Sequence, residues 1–130
     1  MSDHERAGAV LYAKDVARVS AFYAGIAGMA VTHTEADHVV LESPSLQLVV
    51  VAIPAAIAAT IDIADPPQRR TDTPIKLAFA VESLDGARKA APLLGGELDP
   101  VEREWVFRQH RVCDGHDPEG NVVQFRVRAA

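Results

Sequence analysis

Gly8 to Val31 reads GAVLYAKDVARVSAFYAGIAGMAV, and Lys76 to Leu98 reads KLAFAVESLDGARKAAPLLGGEL. Setting Asp15 against Ser83 (83 − 15 = 68 residues) brings Gly28 onto Gly96 and Gly8 onto Lys76. Each stretch is an apolar strand, a residue suited to cap a helix, an amphipathic run and a glycine stop. Asp15 and Ser83 can each accept a hydrogen bond from a free N–H at a helix start. After Asp15, the residues Val16, Val19, Phe22, Tyr23 and Ile26 recur at helical spacing and form one apolar stripe. Gly28 and the pair Gly95–Gly96 suit the left-handed position that ends a helix.

Outward from this echo, residues 30–35, 37–42 and 46–53 read as three short strands separated by turns at Ala36–Asp37 and Ser43–Pro44–Ser45. Pro54 opens a short helix with Ile53, Ile57 and Ile61 on one stripe. In the second half, residues 77–81 read as a strand and 83–94 as a helix. Strands follow within 97–101, 105–113 and 122–128. The expectation is one domain over residues 1–130, built from βαβββ modules at 8–61 and 75–128 and joined by a linker at 62–74, DPPQRRTDTP being its core. The fold class is α+β, the two modules forming a curved, incompletely closed mixed barrel.

Alternation assigns the faces. Val123, Phe125 and Val127 share one side of the last strand, and Val122, Gln124, Arg126 and Arg128 the other. Leu77, Phe79 and Val81 oppose Lys76, Ala78 and Ala80. The uniformly apolar sides should lie under the helices, and the mixed sides should line a hollow for a small molecule.

Composition excludes several classes. At 130 residues the chain is one domain's worth, and 48% hydrophobic residues suffice for a core. Aromatics are 5%, so that core is aliphatic. A net charge of −5 argues against an electrostatic nucleic-acid binder, which needs a basic face. No apolar run approaches the ~20 residues of a membrane span. MSDHERAG carries no apolar stretch of the secretory kind. Cys113 is the sole cysteine, so no intrachain disulfide forms, and a cytoplasmic setting is the simplest reading. Cys113 reads as a small strand residue rather than a nucleophile.

Three stretches, AVLYAKDVARVSAFYAGIAGM, KLAFAVESLDGARKAAPLLGG and DPEGNVVQF, resemble the vicinal oxygen chelate superfamily, which includes glyoxalase I, extradiol dioxygenases, fosfomycin-resistance enzymes and bleomycin-resistance proteins. The resemblance implies paired βαβββ modules around a cup. In metal-dependent members the cup holds a divalent ion, bound by His or Gln at the first strand of a module and Glu at the last. Carried over position by position, those roles fall on Gly8, Lys76 and Gln124. Glycine has no donor atom, lysine is a cation, and glutamine is a neutral, weaker oxygen donor. Residues 46–61, where a further ligand would lie, contain no His, Asp, Glu or Cys. A symmetric partner would bring the same residues. The expectation is therefore no metal and no cofactor.

DGHDPEGN, Asp114 to Asn121, then reads as a turn: Pro118 fixes φ, Gly120 supplies a positive φ, and His116 and Asp117 sit in solvent beside it. His33 and His38 flank a polar hairpin with Glu35, Asp37 and Glu42. The expected ligand-binding residues are Tyr12, Lys76, Ala78, Trp105, His110, Gln124 and Arg126. They suit a small organic molecule, anionic or aromatic in character, and no nucleic acid or membrane. The resemblance further implies a homodimer. Three functions stay open: a metal-independent binder that sequesters its ligand, an enzyme (lyase, isomerase or dioxygenase) with displaced metal ligands among His33, His38, His110 and His116, and a partner module whose cup its own side chains fill.

Overall fold

A computed structural model describes residues 5–129, and the opening residues read above for a secretory stretch lie partly outside them. Among the described residues the order is β1 (Ala7–Ala13), α1 (Val16–Ala27), β2 (Ala30–Thr34), β3 (His38–Glu42), β4 (Leu46–Ala52), α2 (Ala55–Ala58), β5 (Leu77–Ala80), α3 (Leu84–Ala90), β6 (Glu97–Leu98), β7 (Trp105–Phe107), β8 (His110–His116) and β9 (Val122–Arg128). The first sheet runs β1-β4-β3-β2 and the second β5-β9-β8-β6, with β7 paired to β8. β1 and β5 each form one edge of their sheet, parallel to the last strand of their own module. The result is a mixed α+β fold of two βαβββ-like modules that does not close into a barrel.

The helix starts are where the sequence places them. Asp15 accepts from the Arg18 N–H at 3.0 Å, and Ser83 from the Gly86 N–H at 2.9 Å. The helix ends differ by one residue from the simple echo. Gly28 (φ 67°) is matched by Gly95 (φ 87°), not Gly96. Both hold a left-handed backbone that a side chain would strain. Gly96 is needed for another reason: a Cβ there would lie 2.4 Å from the Phe22 ring and from the His116 carbonyl oxygen.

Val19, Phe22, Tyr23 and Ile26 of α1 are buried, as the stripe predicts. They join Leu41, Leu48 and Val50 of the first sheet and Phe79, Cys113, Val123 and Phe125 of the second in one core. That core is therefore not the purely aliphatic one expected: the aromatics Phe22, Tyr23, Phe79 and Phe125 are gathered inside it. Phe22 meets Tyr23 and Phe125 edge-on, with ring centroids 5.3 and 6.4 Å apart, so α1 ties the two sheets together. The uniformly apolar strand sides are thus the core sides. Their opposite sides stay open: Val10 and Tyr12 are 59% and 62% exposed.

Two expectations need correction, and two hold. The second helix is α only through Ala90, and Ala91–Leu94 tightens to a 3₁₀ turn, because Pro92 brings no N–H. The strand expected within 97–101 is there as Glu97–Leu98, after which Pro100 leads into another 3₁₀ turn. The expected single strand 105–113 is a hairpin, broken at Arg108 with φ 55°. The short helix expected after Pro54 is present; of its stripe Ile53 and Ile61 are half-buried and Ile57 is 55% exposed.

Candidate functional site

The register of the second sheet fixes which side chains share its open face. Ala78 pairs with Gln124 and Ala80 with Arg126. Across β8, Gln124 faces Asp114, Arg126 faces Val112 and Arg128 faces His110, while Trp105 and Phe107 of β7 continue the same rows. Lys76 shares the parity of Ala78. Six of the seven residues expected to bind ligand (Lys76, Ala78, Trp105, His110, Gln124 and Arg126) therefore stand on one face. Tyr12 stands with Gly8 and Val10 on the open face of the first sheet, in register with Val51.

Contacts draw part of this group together. Lys76 Nζ donates to both oxygens of Asp114, at 2.9 and 3.1 Å, and lies 5.8 Å from the centre of the Trp105 ring. Arg126 Nη2 donates to Gln124 Oε1 at 2.9 Å, while its buried Nε meets no acceptor. Asp114 is the site residue that sequence reasoning missed. Reading DGHDPEGN as one turn hid it, yet alternation along β8 from His110 would have placed it beside Gln124.

The turn itself is shorter than expected and buried. Asp114, Gly115 and His116 belong to β8, and the chain reverses over Asp117–Gly120. The expectation of solvated His116 and Asp117 is wrong: they are 6% and 0% exposed. The cause is a cage of donors around the Asp117 carboxylate, which a buried anion requires. Tyr23 Oη donates to it at 2.8 Å, Asn121 Nδ2 at 2.9 Å, and the backbone N–H groups of Glu119 and Asn121 at 2.8 and 3.1 Å. Burial, with the neighbouring Asp117 carboxylate, pushes the Tyr23 hydroxyl pKa well above its usual value. Glu119, also buried, accepts from the backbone N–H groups of Lys14 and Asp15 at 3.0 and 2.8 Å. The turn of the second module thereby clamps the β1–α1 junction of the first and sets where β9, with Gln124 and Arg126, begins.

His33 and His38 face one another with ring centroids 5.8 Å apart, each held by a carboxylate: Glu35 at 2.7 Å and Asp37 at 2.8 Å. Cys113 is buried in the core, and desolvation raises its thiol pKa, so it is no activated nucleophile. The clefts meet the open faces only at their edge strands, through Gly8 and Val10 in one and Ala80 in the other. One of about 550 Å³ separates the β1 and β5 edges under residues 70–75, and another of about 630 Å³ lies between the end of α1 and α3. Neither is lined by any of the seven expected residues.

The fold thus defined is that of the glyoxalase/bleomycin resistance/dioxygenase proteins. Residues 8–126 match the model of the glyoxalase-like domain, and the chain belongs to that family. A glyoxalase/bleomycin resistance protein/dioxygenase family enzyme from Burkholderia phytofirmans is similar at TM-score 0.70 and 17% identity, over 93% of this chain and 96% of that one. The fosfomycin resistance protein FosX from Listeria monocytogenes aligns at TM-score 0.64 and 19% identity, over 100% and 94%. FosX from Mesorhizobium loti gives 0.63 and 10%, over 98% and 93%. No curated protein sequence matches the chain.

A variant of the Listeria protein has been solved with Mn(II) and a dihydroxypropylphosphonic acid. The residues at the positions that the resemblance marks do not fit such an ion. Gly8 offers none, the Lys76 ammonium is paired with Asp114, and Gln124 Oε1 already accepts from Arg126. Among the described residues no group of three or more His, Cys, Asp or Glu side chains is arranged to hold a metal.

Proposed function

We propose that this protein is a metal-independent binder of a small organic molecule, held on the open face of its second sheet. The carrying observation is the gathering of Lys76, Asp114 and Trp105 beside Gln124 and Arg126, where the resemblance would put metal ligands. The ammonium and guanidinium repel a bare cation, and together with an amide and an indole they can recognise organic groups. Ala78 and Ala80, both exposed, leave room beside them. Tyr12 and Val10 offer an apolar second wall from another sheet. The protein acts as a homodimer in this reading, as the resemblance to the superfamily implies. No helix among the described residues is long and apolar enough to cross a membrane. With Cys113 the sole cysteine, the proposal sets the protein in the cytoplasm.

The test is a thermal-shift screen of metabolites against chelator-treated protein. A native-state ligand raises the melting temperature by mass action. The reading expects hits that persist in chelator and dimers by light scattering. Hits that appear only after a divalent metal is restored would instead select the enzyme reading.

A further inference from the structure

We infer that the ligand is an organic anion, with Arg126 as its anchor and Trp105 as the wall for its apolar body; this rests on the small-molecule reading above. Among the described residues four arginines are half-buried: Arg6, Arg69, Arg88 and Arg126. Three have a carboxylate partner, namely Glu42 at 3.6 Å, Asp99 at 2.9 Å and Glu104 at 2.5 Å. Arg126 has none. Its partner is the neutral Gln124 amide, and its Nε is shut away from water without an acceptor. Guanidinium groups taken partly out of water call for an anionic acceptor, and Arg126 is the one left waiting for it. Because Nε is turned inward, an oxyanion engages it when the side chain swings off Gln124. That swing gives up the Nη2 bond to Gln124 and relieves the unmet Nε donor.

The surroundings agree. Lys76 and Arg128 add positive charge to the face, and Asp114, spent on Lys76, supplies negative charge. In a chain of net charge −5 this face is a local reversal of sign. His110, opposite Arg128, adds a ring nitrogen at the same end. Trp105 lies in the row of Arg126, beyond Val112. Two strand spacings separate them, roughly 10 Å. Val112 between them is fully covered, so a carboxylate or phosphonate joined to a flat apolar group enters that span as the Arg126 side chain moves off it. The Lys76 ammonium over the Trp105 ring already fixes that wall's orientation.

Trp105 is the sole tryptophan, so its fluorescence reports on this face alone. The experiment titrates benzoate, phenylphosphonate and the neutral benzamide at constant ionic strength, with melting temperature as a second readout. Wild-type protein should bind the two anions at least tenfold more tightly than benzamide. Arg126→Gln should level the three while keeping its circular dichroism, and Arg126→Lys should retain part of the preference. Equal binding of benzamide and benzoate by wild type, or unchanged anion affinity in Arg126→Gln, overturns the inference and leaves the binder reading standing. If neither these probes nor any neutral metabolite binds, both fall.

Discussion

Replacing Asp117 with alanine should be among the most damaging single changes in this protein. Its carboxylate is fully buried and accepts from Tyr23 Oη, Asn121 Nδ2 and the N–H groups of Glu119 and Asn121. Alanine strands these donors, and Tyr23, 1% exposed, finds no water in exchange. Hydrogen bonds to a charged group contribute roughly 1.5–3 kcal/mol each, but they are not additive within one cage. We expect a loss of about 3–5 kcal/mol. With an unfolding entropy near 2.1 cal/mol/K per residue, that lowers Tm by roughly 10–20 °C. Urea denaturation followed by circular dichroism measures it. Tyr23→Phe should cost about 1–2 kcal/mol. The double variant should cost less than the sum, because one bond is removed twice. A loss below about 1 kcal/mol for Asp117→Ala, or strict additivity with Tyr23→Phe, would refute the cage.

The same pair gives a pH dependence. Tyr23 has a raised pKa in the folded state, so its contribution is complete below the unfolded value of 10.0 and drains away as pH rises beyond it. Wild-type stability should fall above that pH by up to about 1.4 kcal/mol per unit more steeply than that of Tyr23→Phe, as denaturation at pH 9 to 11 will measure. Gly120→Ala should cost at least about 2 kcal/mol, since φ is 83° and the new Cβ would stand 2.2 Å from the Gln68 carbonyl oxygen; its urea midpoint reads this. Cys113, buried with a raised thiol pKa, should resist iodoacetamide in native protein and react in urea. Labelling followed by mass spectrometry should therefore track global unfolding.

The modular plan was legible because it rests on local chemistry. The caps Asp15 and Ser83, the stripe Val19–Phe22–Tyr23–Ile26 and the alternation along β9 each carry their own cause in sequence. What stayed hidden depends on distance along the chain. The hairpin at Arg108 needs a positive φ in a residue that seldom adopts one. Asp117 and Glu119 look like turn residues, and only the approach of Tyr23 and of the Lys14–Asp15 backbone, about a hundred residues earlier, buries them. Six expected binding residues came out on one face because parity is local. Asp114, which organises Lys76, was obscured by the turn motif that follows it.

The central claim is that the ligand positions of this chain hold organic-binding groups in place of metal donors. Elemental analysis of protein purified without chelator, paired with titration of its hits before and after chelation, tests that claim most directly. The account predicts substoichiometric metal and unchanged affinity. One tightly held divalent ion per chain, lost together with ligand binding on chelation, would contradict it.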